Sequence, residues 1–192
     1  MASELAHGYK FKKIKTKYPN GDTYEGMGAG YYGPPYEPHG IGIYTQKSSG
    51  VAFQADWEHQ EGPDFKSVKI ITKPAGKSFV LVQAYAGEIY TDLQNLAIVE
   101  AKEGTYAFQN LPSILLEPHA WSNHLFVIKK VSENELVFDF TGPKVDHGKF
   151  IDKTIKKGEP QEFGNTVSSH IIWEHDDEYD VSQTAKISVL YF

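Results

Sequence analysis

The segment between Asn20 and Gly62 repeats a glycine–aromatic pattern, which limits the folds open to this chain more than any other feature. One copy runs over Gly21–Gly26 (GDTYEG) and the second over Gly50–Trp57 (GVAFQADW). In both copies an aromatic residue follows the glycine by three positions and a small residue follows it by five. Between the copies, His39–Tyr44 (HGIGIY) alternates glycine with larger residues at its start. This spacing predicts tight β-hairpins, because glycine lets backbones approach closely and aromatic rings fill the space between neighbours.

The rest of the chain also favours strands over helices. Aromatic residues make up 14% of the 192 residues, and 17 glycines and 10 prolines separate the apolar stretches. Beyond Pro63, strand signals recur every eight to twelve residues or so, as in a sandwich or barrel. We therefore predict an all-β, antiparallel fold, with a hairpin stack over residues 1–62 packed on a β-sandwich or β-barrel over residues 63–192. The two segments are either separate domains or one continuous domain.

The same signals place individual elements. Asn20 and Gly21 predict a turn after a first strand at Tyr9–Thr16, and Met27–Pro38, rich in Gly, Tyr and Pro, is predicted as an ordered loop. Leu111–Leu116 is the one candidate helical turn, because proline suits a first helical position. Further predicted strands are Asp22–Gly26, Ile41–Gln46, Val51–Glu58, Phe65–Lys73, Lys77–Tyr85, Leu96–Ala101, Thr105–Phe108, Leu125–Val131, Leu136–Phe140, Lys149–Ile155, Thr166–His175 and Ala185–Phe192.

Composition and charge exclude several classes of function. All 19 basic residues are lysine, so the chain lacks the guanidinium forks that usually read phosphates and guanine edges, and no nucleic-acid partner is predicted. The net charge of −6 lies entirely in residues 97–192, which further disfavours a polyanion there. The chain contains no cysteine, and it lacks a phosphate loop and a dinucleotide-binding motif. No metal site and no cofactor are predicted.

The N-terminal segment and the hydropathy of the chain bear on location. Met1–Ala6 has neither the basic start nor the apolar stretch of a secretory signal. No apolar run approaches the roughly 20 residues that span a bilayer. We therefore expect a cytoplasmic protein.

The glycine–aromatic repeat resembles a MORN repeat, the "membrane occupation and recognition nexus" module. Gly28 and Ala55 depart from that pattern, the first at a tryptophan position and the second at a glycine position. The copies start 29 residues apart, at Gly21 and Gly50, which indicates an insertion around Gly30–Pro38. The resemblance implies a scaffold or localisation role, because such repeats tether proteins to membranes, cytoskeleton or other proteins. The matching residues are Tyr24, Glu25, Gly26, Gly40, Gly42, Phe53 and Trp57.

The preferred function is therefore a non-enzymatic module that binds a protein or a membrane-associated partner. The aromatic side chains of the insertion, Tyr31, Tyr32 and Tyr36, are the predicted partner-binding residues, since large rigid rings anchor interfaces. The lysines of the first predicted strand have two readings: contact with an anionic membrane surface, or protection of an edge strand against aggregation. They are Lys10, Lys12, Lys13, Lys15 and Lys17.

An alternative function is a small-molecule β-barrel enzyme of the isomerase or cyclase type, or a ligand carrier. Its candidate acid–base residues are histidines, because imidazole titrates near neutral pH. They would lie in a pocket of the second segment, and a solid core would exclude this alternative. Whether the chain is an enzyme stays open on sequence alone. The candidate residues are His119, His124, His170 and His175.

Overall fold

The computed structural model describes residues 7–59, 61–88, 91–107, 125–141, 149–172 and 178–192. Within them the regular structure is β-strand, apart from one short 3₁₀ turn at Phe65–Ser67, and every strand pairing is antiparallel. The chain forms two compact units, Met1–Lys77 and Ser78–Phe192. The predicted all-β, antiparallel fold is confirmed.

The first unit is built on a six-stranded sheet. Five strands follow chain order from β1 to β5, and β6 pairs with β4 along the same edge as β5, opposite β3. The strands therefore form a meander, in which each connection is a short turn or loop. Their bounds are β1 Tyr9–Lys17, β2 Thr23–Tyr31, β3 Glu37–Thr45, β4 Ala52–Glu58, β5 Gly62–Pro63 and β6 Lys69–Thr72.

Register explains the glycine–aromatic repeat. Tyr24, Tyr44 and Phe53 are cross-strand neighbours on one face of β2, β3 and β4. Side chains two residues further along lie on the same face, and there Gly26 pairs with Gly42. A Cβ atom added at Gly42 would lie 2.1 Å from the Tyr24 hydroxyl oxygen. Because these glycines have no side chains, the aromatic rings of this face can lie directly against the backbone of the sheet.

Trp57 completes this aromatic layer. Its ring is 5.3 Å from that of Tyr24 and 5.8 Å from that of Phe53, centroid to centroid. Its indole N–H donates to the Gly42 carbonyl at 3.2 Å, and the Tyr24 hydroxyl donates to the Met27 carbonyl at 2.6 Å. These rings are buried, and their polar atoms are paired, as buried polar atoms generally are.

The second unit contains two four-stranded sheets that share one hydrophobic core. One sheet has the order β12-β11-β10-β9 and the other has the order β13-β14-β7-β8. Alternate side chains of both sheets point into the core, the arrangement of a β-sandwich. The bounds are β7 Phe79–Glu88, β8 Thr91–Glu100, β9 Gly104–Ala107, β10 Leu125–Val131, β11 Glu135–Thr141, β12 Lys149–Lys156, β13 Gln161–Ile172 and β14 Glu178–Tyr191.

Phenylalanine and branched aliphatic residues fill this core. The Phe126 and Phe138 rings lie 5.1 Å apart, and the Tyr191 hydroxyl of one sheet donates to the Ser132 carbonyl beside the other at 2.7 Å. None of the sheets closes into a barrel within the described ranges, so the barrel form of the prediction is not seen there. The core members from the two sheets are Val80, Val82, Ala84, Ala97, Val99, Ile187, Val189 and Tyr191, and Phe126, Ile128, Leu136, Phe138, Phe140, Phe150 and Ile155.

Two local predictions need correction. Met27–Pro38 is not one loop: β2 continues to Tyr31 and β3 begins at Glu37, because a bulge in β3 opposite Met27 lets the glycines of β2 keep pairing with β3. Phe65–Lys73 is not one strand, because the Asp64 carboxylate accepts from the Lys66 amide and starts the 3₁₀ turn before β6. The helical turn predicted at Leu111–Leu116 lies outside the described residues. The domain boundary predicted between residues 62 and 63 stays a prediction.

Candidate functional site

Two adjacent tyrosines are exposed at one end of the first sheet. Tyr31 ends β2 and Tyr32 opens the turn that follows it, and their side chains are 59% and 65% exposed. The ring centroids are 4.4 Å apart, with the planes inclined by 63°. Tyr32 has a φ of 56°, a left-handed conformation that costs a bulky residue about 1–2 kcal/mol. Tyr31 and Tyr32, two of the three predicted partner-binding residues, are thus available at the surface.

Pairing between β1 and β2 holds this pair in place. Tyr9 is the cross-strand partner of Tyr31, with ring centroids 5.3 Å apart. The Tyr32 amide donates to the Gly8 carbonyl at 2.8 Å. A Cβ atom at Gly8 would lie 3.0 Å from the Tyr31 ring and 3.1 Å from the Tyr32 ring. The two rings therefore pack over a backbone that glycine leaves open.

A histidine pair and a carboxylate lie beside the tyrosines. The Nδ1 atom of buried His39 accepts the backbone N–H of His59 at 3.0 Å, so the proton of a neutral His39 ring is on Nε2. The Nε2 atom of His59 lies 3.1 Å from a carboxylate oxygen of Glu37, and these side chains are 7% and 43% exposed. The Tyr9 ring meets the His59 ring edge-on at 5.2 Å. We call Tyr9, Tyr31, Tyr32, Glu37, His39 and His59 the tyrosine–histidine cluster.

The chemistry of this cluster suits recognition more than metal binding. Among the described residues, no group of three or more histidine, aspartate or glutamate side chains could hold a metal ion. A hydrogen bond with Tyr32 raises the pKa of the Tyr31 hydroxyl, with burial and the nearby Tyr9 adding to it. Neutral tyrosines offer both an apolar ring and a hydroxyl, the combination that is enriched at interfaces.

Tyr36 and Phe11 differ from the sequence-based expectation. Tyr36 is half-buried, and the Lys12 ammonium lies 5.5 Å from the centre of its ring. It therefore makes a cation–π contact and is less available than Tyr31 and Tyr32. Phe11, which is not among the predicted partner-binding residues, is exposed, and its ring is 5.8 Å from that of His39. The only signal for Phe11 was its place two residues after Tyr9, on the same strand face.

The lysines of β1 are all exposed, and they are divided between the two faces of the sheet. Lys13, Lys15 and Lys17 lie on the face that carries Tyr9 and Phe11, because alternate residues of a strand share a face. Lys10 and Lys12 lie on the opposite face. No acidic residue interrupts Tyr9–Lys17. The strand is at the edge of the sheet, so one continuous basic edge joins the two faces.

A buried polar network at the opposite end of β2 has a structural role. Asp22 is buried and accepts from the Tyr44 hydroxyl, from the Lys47 amide at 3.0 Å and from the Asn20 amide group at 3.2 Å. Burial and the Asp22 carboxylate raise the pKa of Tyr44. Burial, with the charges of Glu37 and Asp22 after it, raises the pKa of Tyr18 to about 12. These groups satisfy one another within the fold.

The described part of the structure does not show the histidines of the enzyme or carrier hypothesis in one site. His119, His124 and His175 lie outside the described residues. The backbone of His170 lies in β13 opposite Asp180, and its side chain is outside the description. This hypothesis stays a prediction.

Comparison of the chain with protein-family models, with curated proteins and with solved structures gave no match. Within the described ranges, no helix has the length and hydropathy that crossing a bilayer requires.

Proposed function

We propose that this chain is a non-enzymatic interaction module that binds a protein partner, free or membrane-associated, through Tyr31 and Tyr32. The observation that carries the proposal is the exposure of two adjacent tyrosine rings. Tyr9 and Phe11 extend the same surface along β1. A scaffold or localisation role of the MORN type is consistent with it.

The contrast with the rest of the sheet supports this proposal. The aromatic residues that stabilise the first unit, Tyr24, Phe53 and Trp57, are buried. Tyr31 and Tyr32 bury little area, so they add little to the free energy of unfolding. Tyr32 also holds a left-handed backbone conformation that glycine or asparagine adopts more readily. Strain of this kind is concentrated at functional sites, which favours a role in recognition.

The test compares a double variant, Tyr31→Ser with Tyr32→Ser, with the unchanged chain as bait for partners from its source cells. We expect capture of the specific partner to be lost, because both anchoring rings are removed. The melting temperature should change by only a few degrees, since surface substitutions away from the core have small effects.

Ile71→Ser is the matched control, because Ile71 is 53% exposed on β6, away from the tyrosine–histidine cluster. It should retain the partner. A large fall in melting temperature in the tyrosine variant would show that the rings belong to the core. Equal capture by both variants would contradict the proposed site.

A further inference from the structure

We infer that the outer edge of β1, which has no partner strand within the described ranges, receives an extended, acidic segment of the partner as an added antiparallel or parallel strand. This inference rests on the proposed function, because it names the chemistry of the partner. It concerns the edge of the sheet beside the tyrosine–histidine cluster. The occupant is a polypeptide with acidic residues on both sides of its backbone.

Backbone hydrogen bonds show which residues of β1 are free to pair. The Tyr32 amide donates to the Gly8 carbonyl, and the Tyr18 amide donates to the Asp22 carbonyl, both at 2.8 Å. The register between these two bonds runs without a shift. In an antiparallel pair, residues that exchange hydrogen bonds alternate with residues that do not. The even-numbered residues of β1 therefore bond to β2, and the odd-numbered residues direct N–H and C=O groups to the free edge.

The outward backbone groups belong to residues that combine rings with positive charge. An edge of this length is a template for a further strand, and strand addition is an established mode of peptide recognition. The backbone groups supply affinity, and the side chains beside them select the sequence. The outward-bonding residues are Tyr9, Phe11, Lys13, Lys15 and Lys17.

Charge complementarity indicates an acidic occupant. Five lysines and no acidic residue lie in Tyr9–Lys17, and Glu25, opposite Lys15, offsets one of the charges. An added strand lies in the plane of the sheet, so its alternate side chains reach Lys13 and Lys17 on one face and Lys10 on the other. A flat membrane that lies against a face of the sheet reaches the lysines of that face only, whereas a strand added at the edge contacts lysines of both faces. The division of the lysines between faces therefore favours a strand.

The same lysines disfavour a second copy of β1 as the occupant. Two copies of this strand side by side would place lysine near lysine, and like charges directly opposite each other are destabilising. Lysine on an edge is also a protection against non-specific pairing. The protection and the inferred selectivity have the same cause, which is the positive charge of the lysines. This charge repels basic strands and forms no ion pairs with neutral strands, so an acidic strand is the favoured partner.

The experiment uses three fluorescein-labelled nine-residue peptides and the full chain, with binding followed by fluorescence anisotropy. The first peptide (glutamate–valine) repeats Glu-Glu-Val-Val, which places glutamates on both faces of an extended strand. The second (glutamate–proline) repeats Glu-Glu-Pro-Pro, and the third (lysine–valine) repeats Lys-Lys-Val-Val. We expect the glutamate–valine peptide to bind, with an affinity that falls as salt screens the lysines. The glutamate–proline peptide carries the same charge but lacks half of the N–H donors, and should bind at least about tenfold more weakly. The lysine–valine peptide should not bind.

Amide hydrogen exchange, measured by NMR, distinguishes strand pairing from a purely ionic contact. On binding of the glutamate–valine peptide, the amides of Phe11, Lys13 and Lys15 should gain protection, because they point to the free edge. The amides of Lys12 and Ile14 already donate to β2 and should change little. Uniform protection or none along β1 would overturn the inference.

A matched pair of charge-reversed variants localises the contact. Lys13→Glu with Lys17→Glu should weaken binding of the glutamate–valine peptide at least about tenfold. Lys66→Glu with Lys69→Glu makes the same change in net charge at exposed residues elsewhere in the unit, and should weaken it far less. Similar losses in both variants would show a diffuse charge effect and overturn the inference.

Two further outcomes would overturn the inference and identify its replacement. Equal binding of the glutamate–valine and glutamate–proline peptides would indicate an ionic contact without strand pairing. Binding of phosphatidylserine vesicles, with no binding of either acidic peptide, would indicate a lipid contact. Partner capture that is lost in the tyrosine variant but kept in Lys13→Glu with Lys17→Glu would leave the proposed function standing and remove only the acidic strand.

Discussion

At the scale of single residues, Gly42 connects the sequence repeat to the packing of the first unit. It lies between Gly26 and Ala55 in the register of three strands. The Tyr24 ring occupies the volume that a side chain at position 42 would need, and Trp57 donates to the Gly42 carbonyl. The backbone of Gly42 is in an ordinary strand conformation that any residue could adopt. Glycine is therefore required at this position for space and not for its backbone conformation.

We predict that Gly42→Ala lowers the free energy of unfolding of the first unit by about 2–3 kcal/mol, because the new methyl group forces Tyr24 from its position. Urea unfolding followed by circular dichroism measures the change. Gly104→Ala is the control, since the nearest atom to a Cβ there is 3.8 Å away, and it should change stability by less than about 1 kcal/mol. Equal effects would show that Tyr24 moves aside without loss.

Tyr18 predicts a loss of stability in alkaline solution. Its pKa is raised from 10.0 to about 12, mainly because burial disfavours the phenolate. The folded state therefore binds more protons than the unfolded state between these values, and stability falls as pH rises through that window. Tyr18→Phe should lose less stability than the unchanged chain between pH 10 and pH 12. The difference between the two proteins at neutral pH gives the packing effect, which is subtracted. Identical alkaline profiles would contradict the prediction.

At the scale of elements, β1 is an edge strand whose two sets of backbone groups have different roles. The set that faces β2 holds the strand in the sheet, and the other set has no partner strand among the residues that the structure describes. Two adjacent lysines belong to different sets: Lys12 directs its N–H to β2, and Lys13 directs its N–H outward.

We predict that Lys12→Pro destabilises the first unit by about 1–3 kcal/mol more than Lys13→Pro, because only the former removes a hydrogen bond of the ladder. Thermal and urea unfolding of the two variants measure the difference. A reversed order would show that the alternation of bonds along β1 is the opposite, and the outward set of residues would then be wrong. Loss of the contact between Lys12 and Tyr36 adds less, because exposed cation–π contacts contribute about 0.5–1 kcal/mol.

At the scale of the whole molecule, each unit has a hydrophobic core of its own, and the charge differs between the units. The first unit carries ten lysines and eight acidic residues, and the second carries nine lysines and seventeen acidic residues. The lysines of β1 thus belong to the less acidic unit. β6 pairs with β4, and Phe65 before it is buried, so residues beyond Pro63 belong to the first sheet.

We predict that a fragment of residues 1–77 melts at a higher temperature than a fragment of residues 1–62, because only the longer one contains β6 and Phe65. Circular dichroism melting of both fragments, with the full chain as reference, measures this. The comparison also tests the domain boundary predicted between residues 62 and 63. Equal melting temperatures would support that earlier boundary.

Part of the candidate site was predictable from sequence. Tyr31 and Tyr32 are predicted as partner-binding residues because large rigid rings in the Gly- and Pro-rich insertion suit an interface, and both are exposed. Tyr36 lies in the same Gly- and Pro-rich insertion, but its ring packs against Lys12. That contact depends on the path of the turn after Tyr32, which the sequence does not reveal. Phe11 was overlooked because an alternating strand buries one face in most sheets, whereas both faces of this edge strand are open to solvent.

The sequence by itself determined the class of fold and the positions of most strands, because alternation of apolar residues and the placement of Gly, Asn and Pro act locally along the chain. It also indicated that the aromatic rings of the repeat would fill the space that its glycines leave. Only the tertiary structure decided that Tyr9, Tyr31, His59 and Glu37 meet in one cluster. It also decided which edge of β1 lacks a partner strand in the part of the chain that the structure describes. Those relations depend on strand register, which is set by the bulge in β3 opposite Met27 and by pairings between residues far apart in sequence.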